Sequence, residues 1–211
     1  VENIMEECQG GESIMCGRYY VDDETAREIE KLVHDVDKKL RLNHQSKDLY
    51  PAQTATVLHK EKDNISASDM IWGFPRFDTT GLLINARAET LLERPTFKES
   101  ALYRRCIIPA RSFYEWNRQK EKVTFSRGDN SILYMAGVYN MFKDDVRFVI
   151  ITTEANESVR STHSRMPVIL EQNELENWVF DTQAASFILN KTPVPLVSEY
   201  EYHQQSIFDT P

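Results

Sequence analysis

The sequence predicts an α+β fold in one domain, built on a mainly antiparallel, strongly curved sheet. Three observations predict it: many short apolar runs of strand length, turn-length links between them, and few segments with helical periodicity. The chain of 211 residues is 41% hydrophobic and 27% charged, which is enough to bury a real core without a second domain. No apolar run approaches the length of a membrane span, and the opening Val1–Cys8 has neither a basic n-region nor an apolar h-region. A cytoplasmic, membrane-free protein is expected. Cys8, Cys16 and Cys106 are odd in number and lack CxxC spacing, which argues for reduced thiols and against a disulfide frame or a cysteine metal site. No cofactor or metal is expected.

Residues 1–14 are acidic, glycine-bearing and aperiodic, and are expected to lie outside the fold as an artificial remnant or an upstream extension, with the domain proper over 15–211. Arg18–Val21 reads as a strand. Asp22-Asp23-Glu24-Thr25 supplies cap and first-turn signals for a helix to about Leu40, its apolar stripe formed by Ala26, Ile29, Leu32, Val33, Val36 and Leu40. A polar loop leads through Tyr50-Pro51-Ala52-Gln53 to the strand Thr54–His59 and a charged turn at Lys62-Asp63-Asn64. Met70–Phe77 should start as a strand and end as a loop, since Gly73 and Pro75 break it. Asn85–Thr90 should enter a short helix ended by Pro95, with another turn or two of helix over Phe97–Tyr103. Strands follow at Cys106–Pro109, Phe113–Trp116, Val123–Phe125, Ile132–Tyr139 and Val146–Thr153. Arg127–Asn130 and Lys143–Asp145 read as hairpin turns between neighbouring strands. A strand at Met166–Leu170 precedes two amphipathic helices, near Asn173–Phe180 and Thr182–Leu189, and an extended tail.

The chemistry centres on Met15-Cys16-Gly17-Arg18-Tyr19-Tyr20. If Met15 is the initiator, its removal gives Cys16 an α-amine beside its thiol. Such an amine titrates at about 7.7–8.0, so it is substantially neutral near pH 7. It can attack an aldehyde to give an imine, and the thiol can then close a thiazolidine ring. An ordinary small hydrophobe opening a strand fits the same position. Glu115, between aromatics in Phe113-Tyr114-Glu115-Trp116, suits proton transfer if desolvated; an outward-facing strand residue fits equally. His163, in a polar turn before an apolar strand, is a candidate acid or base, or a satisfied structural histidine. His34, His44, His59 and His203 lack ligand spacing. Asn85 and Arg87, with Arg18 and Arg165, could hold phosphate, and Trp72, Phe74 and Phe77 could stack on bases; surface ion pairs and core packing are the alternatives. The net charge is −8, and leaving out residues 1–15 still leaves 29 acids against 25 bases, or −4, so any nucleic-acid binding must be local.

Taken together, Met-Cys-Gly-Arg, Asn-Ala-Arg-Ala-Glu-Thr, Arg104–Ala110, Phe113–Trp116 and His163–Leu170 resemble the SRAP family (SOS-response-associated peptidases), whose members are abasic-site processing proteins. The likeness runs from Met15 to about Tyr200 with matching motif order. It implies a twisted β-barrel-like core with flanking helices. It also implies binding, as a monomer, to single-stranded DNA or its junction with duplex, and capture of the abasic aldehyde on an N-terminal cysteine. The resemblance makes Cys16 the nucleophile, Glu115 the acid/base, His163 the assistant in Schiff-base chemistry and strand scission, and Asn85 the residue that positions the open sugar. Arg18, Arg87 and Arg165, with Pro51, Trp72, Phe74 and Phe77, become the DNA-contacting set. In the family the tryptophan-glycine stretch continues into a longer proline-tryptophan loop; here Phe77 stands near that place. While residues 1–14 remain attached, Cys16 has an amide nitrogen and cannot form an imine. A cysteine-dependent (auto)peptidase and a non-catalytic DNA reader are the competing functions.

Overall fold

The structure, a computed structural model, describes residues 17–33, 46–77 and 79–201. Cys16, residues 1–14 and residues 34–40 of the expected first helix lie outside the described residues. Strand β1 (Tyr19–Val21) turns at once into α1 (Asp23–Leu32). The Asp22 carboxylate accepts the Thr25 amide at 2.9 Å while the Thr25 hydroxyl takes the Asp22 amide at 3.3 Å, a reciprocal cap at the position the acidic run predicts. After Leu32 the chain is extended at Val33.

β2 (Lys47–Leu49) is followed by the hairpin of β3 (Thr54–Glu61) and β4 (Asn64–Trp72), and Gly73, at φ +108, separates β4 from β5 (Phe74–Pro75). β5 pairs with β6 (Leu82–Leu83). β7 (Asn85–Arg87) is a strand, and only Ala88–Thr90 makes a single 3-10 turn, so Asn85 and Arg87 do not enter a helix as expected. Pro95 begins α2 (Pro95–Tyr103) rather than ending a helix, because its fixed φ and missing N–H suit a first turn as well as they forbid an interior one. β8 (Arg105–Ala110), β9 (Ser112–Trp116), β10 (Lys122–Ser126), β11 (Leu133–Phe142) and β12 (Asp145–Glu154) follow. The expected strand at Met166–Leu170 splits into β13 (Arg165–Pro167) and β14 (Ile169–Leu170), after the short helix α3 (Glu157–Arg160). The two expected C-terminal helices are α4 (Leu175–Phe180) and α5 (Thr182–Asn190), and β15 (Val197–Tyr200) ends the described chain.

The strands β12, β4, β3, β8 and β11 pair in that order, and β11 pairs back onto β12, closing a five-stranded barrel in which only the β12–β4 step is parallel. Beyond residue 150 the two long strands take a third between them: β13 pairs with β12 and β14 with β11. A second sheet has the order β15-β10-β9-β1-β2. Arg127–Asn130 therefore does not join neighbouring strands as expected; it carries the chain from the second sheet to the barrel, while Lys143–Asp144 does close the β11–β12 hairpin.

Alternation along the barrel strands builds two cores. Val57, Trp72, Ile108, Met135 and Phe148 share one cluster with Tyr19, Phe113 and Phe125 of the second sheet. Ile107, Val138, Val149 and Ile151 turn the other way, against Phe97, Trp178 and Ile188 of α2, α4 and α5. Trp178 donates its ring N–H to the Cys106 carbonyl at 2.9 Å, and the buried Arg105 donates to carbonyls of Trp178, Ala101 and Leu102. Complete burial raises the Cys106 thiol pKa far above its usual value, so Cys106 is a packing residue. Among the described residues no helix is long and apolar enough to cross a membrane.

Candidate functional site

The segment just after Cys16 is held by a strand ladder. Tyr19 lies opposite Phe113 and Tyr20 opposite Ser112, and the Tyr114 amide donates to the Arg18 carbonyl at 3.1 Å. Continuing that register sets Gly17 opposite Glu115. Glu115 is 2% exposed and, two residues on from the core residue Phe113, shares its face, so its carboxyl turns toward the core side of β9, which the sequence left open. A Cβ built on Gly17 would meet nothing within 4 Å, so no neighbour in the fold demands a glycine there.

Arg18 is tied down inside the protein. Its guanidinium pairs with the Asp48 carboxylate and lies 4.9 Å from the Tyr50 ring and 5.0 Å from that of Tyr114. Burial works against its charge, but the Asp48 bond and charge outweigh it and raise its pKa. Burial and the nearby Asp48 together push the Tyr114 phenol well above its ordinary value. Pro51 follows Tyr50 in a half-buried turn, whose Ala52 amide donates to the Trp72 carbonyl at 2.9 Å.

Two of the expected stacking aromatics are not available to a base. Trp72 and Phe74 are both 0% exposed. The Trp72 ring sits 5.1 Å from Tyr19 and 6.2 Å from Phe148, and its N–H donates to the Ile84 carbonyl at 3.0 Å. That carbonyl also accepts the Ile150 amide at 3.1 Å, which fixes the entry to Asn85. Phe74 packs 4.9 Å from Phe142 and 5.9 Å from Phe97. The apolar run around Gly73 is core because β4 is a barrel stave. Phe77, past the Pro75 break, is 82% exposed and keeps an open ring.

The far end of β12 gathers the remaining residues. β7 runs along one edge, with Asn85 opposite Ile150 and Arg87 opposite Thr152; β13 runs along the other, with Arg165 opposite Glu154. Arg165 donates through Nη2 to the Thr152 carbonyl at 2.7 Å and to Glu89 Oε2 at 2.8 Å, and through Nε to the Thr152 hydroxyl at 3.3 Å. Burial pushes the Glu89 pKa up, but the Arg165 bond and charge outweigh it and leave that carboxyl below its ordinary value. Asn156 caps α3 by accepting the Ser158 amide at 3.0 Å and anchors the tail through the Pro193 and Val194 carbonyls at 2.8 and 3.0 Å. The turn after α3 carries His163, whose ring Nδ1 accepts the Arg165 amide at 3.1 Å. The neutral ring therefore bears its proton on Nε2. Burial, with the charge of Arg165, lowers the His163 pKa.

Tyr19, Ile84, Phe113, Val159 and Met166 belong to one core cluster. Arg18, Asn85 and Arg165 each adjoin one of these core residues in sequence, so the packing of that cluster holds the backbone from which they project. Sequence reasoning missed Asp48, Tyr114, Glu89 and Thr152. Tyr114 and Glu89 lie inside motifs already singled out; nothing local marks Asp48, 30 residues from the arginine it pairs with. Among the described residues no group of three His, Cys, Asp or Glu side chains could hold a metal.

The family model for SOS response associated peptidase (SRAP) matches residues 15–204. The chain is 32% identical over 179 residues to the abasic site processing protein YoqW of Bacillus subtilis (strain 168), covering 78% of this chain and 80% of that protein. It is 23% identical over 206 residues to the abasic site processing protein YedK of Escherichia coli (strain K12), covering 91% and 92%. Among solved structures, a protein from Bacteroides thetaiotaomicron superposes with a TM-score of 0.74 at 21% identity, over 89% of this chain and 93% of that one.

Proposed function

The chain belongs to the SOS response associated peptidase (SRAP) family, and from that premise we propose that it processes abasic sites in DNA by covalent capture on Cys16. The observation that supports the proposal is the buried Glu115 carboxyl on β9, the strand that pairs with β1 just after Cys16; continuing the Tyr19–Phe113 register would bring Gly17, the residue next to Cys16, level with it. A proton-transfer group shielded from water beside a candidate nucleophile is what imine chemistry requires.

In the proposed reaction the Cys16 α-amine adds to the C1′ aldehyde of the ring-opened sugar. The resulting carbinolamine loses water to form an imine. The thiol then adds to the imine carbon, its proton ending on nitrogen, and closes a thiazolidine with one water released overall. Glu115 relays protons to and from the departing oxygen, and His163 offers its Nε2–H to the sugar. Loss of the 3′ phosphate from the imine is the competing lyase route. Asn85 positions the open sugar, and Arg87 and Arg165 face the phosphates. Single-stranded or junction DNA is the proposed substrate, with the exposed Phe77 ring offering a base a face. The negative charge of the chain makes such local contacts necessary.

The chain that begins at Cys16 is the form to test, since only there does that residue carry a free α-amine. Incubated with an oligonucleotide carrying one abasic site, it is expected to give a denaturation-resistant adduct. The adduct should vanish with Cys16→Ala and with acetylation of the α-amine. Adduct formation by the acetylated chain would overturn the proposal. A second reading, which the peptidase in the family's description supports, is hydrolysis of the Met15–Cys16 bond by the chain itself. Self-cleavage of the full chain that is lost on Cys16→Ala would support it.

A further inference from the structure

We propose that Glu89 is a positioning residue whose ion pair with Arg165 clasps β7 to β13 across the end of β12, and so fixes the tautomer and placement of His163. This rests on the reading of His163 as a proton donor in abasic-site capture. β7 and β13 lie on opposite edges of β12 and do not pair with each other. Glu89, in the turn after β7, reaches over the strand end to Arg165, the first residue of β13. Its other oxygen, Oε1, accepts the Thr153 hydroxyl at 3.4 Å, so the carboxylate is tethered to the strand it crosses.

The clasp adds to a short ladder: β13 has three residues, and beyond Arg165 a single backbone bond, from the Ala155 amide to the Ser164 carbonyl at 2.9 Å, continues its pairing with the β12 side. Arg165 also holds His163 through its backbone amide. Any drift of Arg165 therefore moves the amide that keeps Nδ1 an acceptor and Nε2 a donor. Glu89 and Thr152 occupy Nε and both protons of Nη2, and leave Nη1 with no acceptor among the described residues. The clasp thus ties the turn after β7 to Arg165 without using up the arginine nitrogen that a phosphate would take. An isolated, half-exposed ion pair contributes little to stability. Its loss should register in chemistry before it registers in folding.

Two measurements test this. The first uses the full chain and no DNA: nitrogen-15 NMR of the imidazoles, with the His163 signals assigned by their loss in His163→Asn. The wild type and Glu89→Gln, which keeps an acceptor for Arg165, are expected to show one neutral Nε2–H tautomer; Glu89→Ala and Arg165→Ala should each show a mixture. A single unchanged tautomer in Glu89→Ala overturns the proposal. The second is adduct formation by the processed chain at saturating abasic oligonucleotide. Glu89→Ala is expected to slow the maximal rate roughly tenfold, less than the ~10²–10⁴-fold carried by a proton-transfer group itself. Glu89→Gln should restore most of that rate, and Glu89→Ala should add nothing on top of Arg165→Ala. Additive losses overturn it. If the wild type forms no adduct, the capture reading falls, and the tautomer measurement still decides the role of Glu89.

Discussion

His163 has one ring nitrogen committed to a backbone amide, and its partial burial disfavours the charged ring. Its folded pKa lies below the ordinary value of about 6.5, so the unfolded chain takes up the proton first. The stability associated with a neutral His163 is then complete above about pH 6.5 and is lost as the pH falls from there through the folded pKa. The expected outcome is that any advantage of wild type over His163→Gln in urea unfolding shrinks between about pH 7 and pH 5. A difference constant across that range would place the histidine in water. Residue type made Glu115, His163 and the arginines candidates, since few side chains move protons or bind phosphate, and only the family resemblance gave them roles. It did not reveal that Arg18 is held by Asp48, or that Trp72 and Phe74 are core. Those facts depend on partners distant in sequence, and an aromatic that stacks on a base reads the same as one that fills a barrel.

Whole elements were legible where their ends carry local chemistry. The acidic run before Ala26 marked the start of α1, and there Asp22 and Thr25 satisfy each other's amides. Asp22→Ala should therefore cost about 1 kcal/mol in chemical denaturation, as loss of a helix cap usually does. A change within error would mean that burial of Ala26 and Ile29 alone holds the helix. Pro95 shows the limit of such signals, since a proline forbids the interior of a helix and permits its first turn. The break inside Met166–Leu170 was hidden for another reason: its five residues keep a strand pattern throughout, and only the switch of partner from β12 to β11 divides them.

The α+β class, the curvature and the antiparallel bias of the molecule followed from strand lengths and turns, whereas the barrel was legible only through the family resemblance, which implied a β-barrel-like core. Closure depends on β11 meeting β12 and on β12 running parallel to β4, pairings between distant stretches that no local pattern encodes. Gly137 sits where closure is tightest, opposite Cys106 on one side and Ile150 on the other. A Cβ there would lie 2.8 Å from the Val149 carbonyl oxygen and would also strike the end of Ile108. Gly137→Ala should destabilise the fold by about 1–3 kcal/mol, the usual cost of overpacking a filled core. An unfolding midpoint equal to that of wild type would show that the barrel can widen.

The second sheet draws its strands from residues 19–21, 47–49, 112–116, 122–126 and 197–200. During synthesis, the stretch following Cys16 emerges first, yet the partner bearing Glu115 leaves the ribosome some hundred residues later. The tail strand and the Asn156 tether arrive later still. The sheet that borders the start of the domain therefore closes only when the last of its strands has left the ribosome, so its assembly waits on the completion of synthesis.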